Sequence, residues 1–195
     1  MKIGIDLDGV IFDTERVYGF YSDIWDLEHH GLDNILDNSS PTFQQRFRWS
    51  DDEIKDFYKK YAHKIIKNTG LNPGVKETLI YLKSLGYDLY VVSMRGFYNK
   101  EEIDITLDLF KKEGLDVFTE CIFEADDKRK VVVDKKIDYV IDDNLDICNS
   151  VSDICKTIYF KGVYAADATD KSIITVHSWQ DIYRYFKRKE SDRNG

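Results

Sequence analysis

Asp6 and Asp8 follow a short apolar run, Ile3-Gly4-Ile5, with one leucine between them and Gly9 behind. If the extended backbone persists through Asp8, the two-residue spacing aims both carboxylates to one side. A second apolar run, Tyr87 to Val92, delivers Ser93, and a later one, Asp138 to Ile141, delivers Asp142 and Asp143. Four carboxylates gathered in one place repel each other and raise their own pKa values unless a cation neutralises them. Mg²⁺ is the natural candidate, because it takes hard oxygen ligands, keeps several waters and is commonly shared with a substrate phosphate. A lone Asp-Gly turn means little, since aspartate is common at turns and helix caps. The ordered set of strand-end groups carries the argument.

These groups need a scaffold that brings strand ends together. The chain has 195 residues and is 43% hydrophobic, enough for one domain with a small insertion. Extended runs at 3–5, 87–92, 121–123, 138–141, 157–160 and 173–176 alternate with helical patterns. That alternation predicts an α/β fold, a Rossmann-like doubly wound parallel sheet with helices on both faces. Ligands bind beyond the carboxyl ends of such strands.

Helices are expected behind the capping box Ser50-Asp51-Asp52-Glu53, from Asn72-Pro73-Gly74 to Gly86, from about Asn99 to Gly114, from about Asp127 to Lys136, and from Ser178 through Phe186. In the second of these Asn72 is read as the cap. Residues 14–72 are too many for a simple crossover and are rich in Phe, Tyr and Trp, which predicts a small helical cap inserted after the first strand. Residues 1–13 and 73–188 form the expected core, Asp13 is read as a helix-start residue, and 189–195 as a frayed tail.

The balance of 28 basic against 36 acidic residues, net −8, argues against a partner held through non-specific nucleic-acid phosphate contacts. No apolar run approaches the length of a spanning helix and the first residues lack a signal-peptide pattern, so the cytoplasm is the expected compartment. Cys121, Cys148 and Cys155 form no CxxC pair and read as free thiols; His29, His30, His63 and His177 show no metal spacing.

Asp6-Leu7-Asp8-Gly9-Val10, Val91-Val92-Ser93, Lys128 and Ile141-Asp142-Asp143, in that order, resemble the four motifs of the haloacid dehalogenase (HAD) superfamily phosphatases. Arg46-Phe47-Arg48-Trp49-Ser50, Asn72-Pro73-Gly74-Val75, Ser93-Met94-Arg95-Gly96, Ile141-Asp142-Asp143-Asn144 and Val176-His177-Ser178-Trp179 are similar to the 5′(3′)-deoxyribonucleotidase-like (cytosolic type C nucleotidase) group. Ser93-Met94 stands where relatives more often carry Thr-Ala, with the hydroxyl retained.

The resemblance implies a HAD-like core and a Mg²⁺-dependent phosphomonoesterase, with Asp6 as nucleophile forming an aspartyl-phosphate and Asp8 as general acid and base. Ser93, Lys128 and Arg95 would bind the substrate phosphate, with Lys130 competing for the role of Lys128. Mg²⁺ would sit between Asp6, the Asp8 carbonyl and Asp143, with Asp142 as the alternative ligand. The implied substrate is a nucleoside monophosphate, with Phe43, Arg46, Phe47 and Trp49 of the cap as candidate contacts, and a homodimer is compatible with the group. Alternatives are a sugar-phosphate phosphatase or phosphomutase on the same core, and a phospho-receiver or binding module. Motif order opposes the receiver, in which the acidic pair follows the first strand.

Overall fold

The computed structural model describes residues 1–31, 34, 46–97, 99–162 and 165–194. Its centre is a six-stranded, wholly parallel sheet of β1 (Lys2–Ile5), β2 (Asp88–Val92), β3 (Glu120–Ile122), β4 (Tyr139–Asp142), β5 (Lys156–Phe160) and β6 (Ile174–Val176) in the order β3-β2-β1-β4-β5-β6. The order reverses about β1, which places the crevice of the doubly wound fold at its carboxyl end. Ile5 lies level with Val91 on one side and with Ile141 on the other. The residues that follow β1, β2 and β4 therefore leave the sheet side by side.

Strand alternation divides the core. Ile3, Ile5, Leu89, Val91 and Ile141 face α3 (Val75–Ser84), α4 (Glu101–Glu113) and α7 (Trp179–Asn194) through Val75, Leu79, Leu82, Phe110, Trp179, Ile182 and Phe186. Tyr90, Val92 and Val140 face the other way, onto Val132 of α5 (Lys128–Lys135) and Val151 of α6 (Leu145–Val151). Gly4 keeps β1 thin on that side: a β-carbon there would stand 3.3 Å from side-chain atoms of both Ile137 and Val92.

Between β1 and β2 the chain first forms α1 (Thr14–His29) and α2 (Asp51–Asn68), the expected helical insertion. The Ser50/Glu53 capping box is present, with the Ser50 N–H donating to Glu53 Oε2 at 2.8 Å. Trp25, Phe47, Trp49, Phe57, Tyr61 and Ile65 give the insertion its own apolar core, and α2 also packs against α4. Entry and exit run antiparallel: the Asp13 N–H donates to Gly70 O at 3.0 Å, the Asn72 N–H to Ile11 O at 2.9 Å, and Phe12 bridges to Leu71.

Three elements differ from expectation. Helix α3 starts at Val75 behind Gly74 in the left-handed region, not behind Asn72, whose side chain is engaged elsewhere. Helix α6 had no counterpart in the sequence reading, although Asn144 caps it by accepting from the Asp146 and Ile147 N–H groups. Helix α7 continues to Asn194 where a frayed tail was expected from Lys189. The extra turns are held because Lys189 pairs with the Tyr139 hydroxyl and lies over its ring, and the Tyr87 hydroxyl donates to Glu190 at 3.3 Å.

Candidate active site

Asp6 is the first residue beyond β1, and its N–H donates to Ile141 O at 2.9 Å, which ties it to β4. The chain then folds back on itself. The Phe12 N–H donates to Leu7 O at 2.8 Å, and the Gly9 N–H to both Phe12 O and Thr14 Oγ1 at 2.9 Å. Asn72 Nδ2 donates to the carbonyls of Gly9 (3.2 Å) and Val10 (2.8 Å), and Trp179 Nε1 to Val10 O at 2.8 Å. The loop that carries Asp8 is thus pinned from α7 and from the return of the cap. Gly9 has φ +75°, a conformation that glycine adopts without penalty.

One ligand oxygen each from Asp6, Asp142 and Asp143 lies within 4.8 Å of the others. Lys128, at the start of α5, reaches into this cluster: Nζ stands 2.8 Å from Asp6 Oδ1 and 2.7 Å from Asp142 Oδ2. Lys130, the competing lysine, is exposed and gives its backbone N–H to the Asp127 cap at 2.9 Å. Asp142 is further fixed by the Asn144 N–H, 2.9 Å from Oδ1.

Burial, with smaller contributions from Asp142 and Asp8, pushes the Asp6 carboxyl up to about 7 against the opposing pull of Lys128. Burial and the neighbouring Asp6 and Asp142 also raise Asp143 well above the ordinary carboxylate range. Burial works against the charge on Lys128, but Asp6 and Asp142 outweigh it and hold its pKa above that of an ordinary lysine. Three carboxylates facing one ammonium leave a formal charge of minus two among oxygen donors, a set that suits a divalent cation.

Ser93 follows β2 and is buried, its N–H on Ile122 O at 3.0 Å and its Oγ accepting from the Arg95 N–H at 3.2 Å. Asp8 does not join the acidic cluster through its carboxylate. Both of its oxygens are taken by Arg95, from Nε at 2.9 Å and Nη2 at 2.6 Å.

The cap candidates are placed differently from the core ones. Phe47 and Trp49 stack on each other at 4.8 Å inside the cap, Trp49 Nε1 donating to the buried Asp26 at 2.7 Å. Arg46 pairs with Asp23 at 3.3 Å, and Phe43 lies outside the described residues. Thr106, Asn72 and Trp179 support the site and were not anticipated in that role. The Asn72-Pro73-Gly74 and Ser178-Trp179 signatures hinted at Asn72 and Trp179, and no motif hinted at Thr106.

Among the described residues no helix is long and apolar enough to cross a membrane. The fold is shared with a haloacid dehalogenase-like family hydrolase from Streptococcus pneumoniae (17% identity, 95% of this chain and 97% of that one, TM-score 0.66). It is shared also with a predicted phosphoglycolate phosphatase from Haemophilus somnus 129pt (18% identity, 94% and 96%, TM-score 0.61). CbbY from Rhodobacter sphaeroides, in complex with xylulose-(1,5)bisphosphate, is similar as well (14% identity, 91% and 94%, TM-score 0.62). No curated protein matches the chain. The family model of haloacid dehalogenase-like hydrolases aligns with residues 3–130, from the first strand past Lys128, and the chain is therefore a member of that hydrolase family.

Proposed function

We propose that the protein is a Mg²⁺-dependent phosphomonoesterase acting on a small phosphorylated metabolite of the sugar-phosphate kind. The observation that supports this most is the trio of buried Asp6 and Asp142 with half-buried Asp143, and Lys128 on an oxygen of Asp6. All the donors are hard oxygens and their residual charge matches a divalent cation, so the residues fit Mg²⁺. When bound, the ion offsets negative charge on the phosphoryl oxygens and on Asp6.

Asp6 attacks phosphorus through a carboxylate oxygen while the bond from phosphorus to the leaving ester oxygen breaks, giving an aspartyl-phosphate. Asp8, carrying a proton on a lone pair that the Arg95 contacts leave open, gives it to the departing oxygen. It then takes one from the water that attacks the aspartyl-phosphate, which frees inorganic phosphate and restores Asp6. Lys128 and the Ser93 hydroxyl steady the phosphoryl oxygens as charge shifts among them.

The core handles only the phosphoryl group, so the cap selects the remainder of the substrate. Two grounds favour a sugar phosphate over a nucleoside monophosphate. The aromatic pair that would stack on a base, Phe47 and Trp49, is committed to the core of the cap. Two of the structural relatives are a predicted phosphoglycolate phosphatase and a protein in complex with a sugar bisphosphate.

Purified protein with Mg²⁺ is expected to release phosphate repeatedly from pentose or hexose phosphates or phosphoglycolate, to stop with EDTA, and to lose activity in Asp6→Asn. Turnover confined to nucleoside monophosphates would reverse the substrate assignment. Transfer to a second sugar phosphate in place of release would mark a mutase, and undiminished hydrolysis by Asp6→Asn would remove the nucleophile.

A further inference from the structure

Arg95 is a buried cation two residues beyond Ser93, where the sequence suggests a phosphate ligand. Its surroundings point to another task. Nε and Nη2 bind the two oxygens of Asp8, Nη1 donates to Thr106 Oγ1 at 2.8 Å, and the flat of the guanidinium lies 4.8 Å from the centre of the Phe12 ring. Thr106 is itself fully buried and passes its hydroxyl hydrogen to Glu102 O at 2.6 Å, so its oxygen is oriented to accept. One turn earlier on the same helix, Glu102 accepts the Gly96 N–H at 3.1 Å and steadies the loop behind Arg95.

Three of the five guanidinium N–H donors are therefore engaged by protein oxygens, and the Phe12 ring lies against the group. The carboxylate it holds is the more exposed partner: the Asp8 side chain is 37% accessible against 3% for Arg95. A half-exposed aspartate at the end of a strand samples several rotamers, and a two-point fork selects one plane and one direction. The backbone of the same residue acts on the neighbouring group, since the Arg95 N–H binds Ser93 Oγ. One residue thus orients the acid–base carboxylate with its side chain and the phosphate-binding hydroxyl with its main chain.

We infer that Arg95 is a positioning residue that acts through Asp8, and is not a ligand of the substrate phosphate. The inference rests on the phosphomonoesterase reading and deepens it. Lysine cannot substitute, because one ammonium cannot meet two Asp8 oxygens and Thr106 in a single plane while covering Phe12.

The test compares wild type, Arg95→Ala, Arg95→Lys, Asp8→Asn and the double variant Asp8→Asn/Arg95→Ala on one sugar phosphate, with inorganic phosphate binding followed by calorimetry in Mg²⁺. Both Arg95 variants are expected to lose about 100-fold in kcat, with KM and phosphate affinity within about twofold of wild type. The double variant is expected to be no slower than Asp8→Asn alone, because Asp8 already carries the whole effect. Phosphate affinity falling about tenfold in Arg95→Ala, or losses that multiply in the double variant, would overturn the inference.

Should Arg95→Ala not fold, Thr106→Val keeps the side-chain volume while removing the Nη1 acceptor and the hydroxyl's own bond to Glu102 O, and is expected to lower kcat in wild type but not in Asp8→Asn. An equal loss in both backgrounds overturns it. A wild-type protein that binds phosphate without hydrolysing any monoester would refute the phosphatase reading while calorimetry on Arg95→Ala still decides the ligand question. A wild type that does neither refutes both.

Discussion

Gly9 and Asp143 are packed so closely that a β-carbon on Gly9 would fall 2.0 Å from Asp143 Oδ2. Gly9→Ala must therefore displace the carboxylate, and it also places alanine at φ +75°, which costs about 1–2 kcal/mol. The expected result is a Mg²⁺ requirement raised about tenfold or more, with the fold retained because the change lies at the sheet end and outside the core. Titrating activity and heat release against Mg²⁺ checks this. An unchanged Mg²⁺ response would mean that Asp143 is not a ligand.

Lys128 is the counter-ion of two buried carboxylates, so Lys128→Met leaves them unpaired. Breaking a buried pair by removing one member costs about 3–5 kcal/mol. Thermal unfolding should show a large loss in metal-free buffer, with Mg²⁺ restoring more of Tm in the variant than in wild type, together with loss of phosphate release. Lys130→Met, at an exposed position, should leave both properties near wild type. Equal effects of the two substitutions would contradict the assignment.

The pH response of the metal-free protein follows from Asp6, whose carboxyl is raised from its usual 3.8 to about 7, chiefly by burial. A raised carboxyl means that the folded state binds the proton more tightly than the unfolded chain. Stability from this group is complete below about pH 4 and declines as pH climbs towards 7. Asp143 is shifted in the same direction. The gain in Tm on replacing EDTA by Mg²⁺ should therefore be small at pH 5 and clearly larger at pH 8. A gain that is flat across this range would count against a cation bound to Asp6.

Trp49 is a cap-core residue in this structure, so its substitution should act on stability. Trp49→Ala removes the stack on Phe47 and the bond to Asp26, a loss of about 3–5 kcal/mol. Trp49→Phe keeps the apolar contact and should cost about 1 kcal/mol with KM unchanged. A rise in KM with undiminished Tm would instead restore Trp49 as a substrate contact.

The legible part of the site was the part written in one stretch of chain or at one strand end. Asp6, Ser93, Asp142 and Asp143 follow buried apolar runs, and parallel register alone brings such ends together. Spacing to Asp142 and the family pattern favoured Lys128 over Lys130 in the sequence, and in the structure Lys128 reaches Asp6 and Asp142 while Lys130 is exposed. The Asp8–Arg95 fork joins two loops 87 positions apart and depends on Phe12 of the first loop and on Thr106 of a third segment, so no local pattern announces it. Aromatic residues in the cap raised the opposite difficulty. Composition cannot distinguish a ring that stacks on a ligand from one that fills a small core, and in Phe47 and Trp49 the core prevails. Helix α6 is short and was hidden behind the Asp142-Asp143 signature, although Asn144 supplies its cap.

The antiparallel pairing at Asp13–Gly70 and Ile11–Asn72 brings the two ends of the insertion together on the core. A chain that departs and returns through adjacent, mutually bonded residues leaves the strand order independent of what lies between them, although Ile66 and the packing of α2 on α4 still hold the insertion to the core. A tight turn joining Asp13 to Gly70 would complete the core without rerouting any strand. Under the proposed function, the groups that handle phosphorus stay on the sheet end whatever sequence fills the stretch between Asp13 and Gly70.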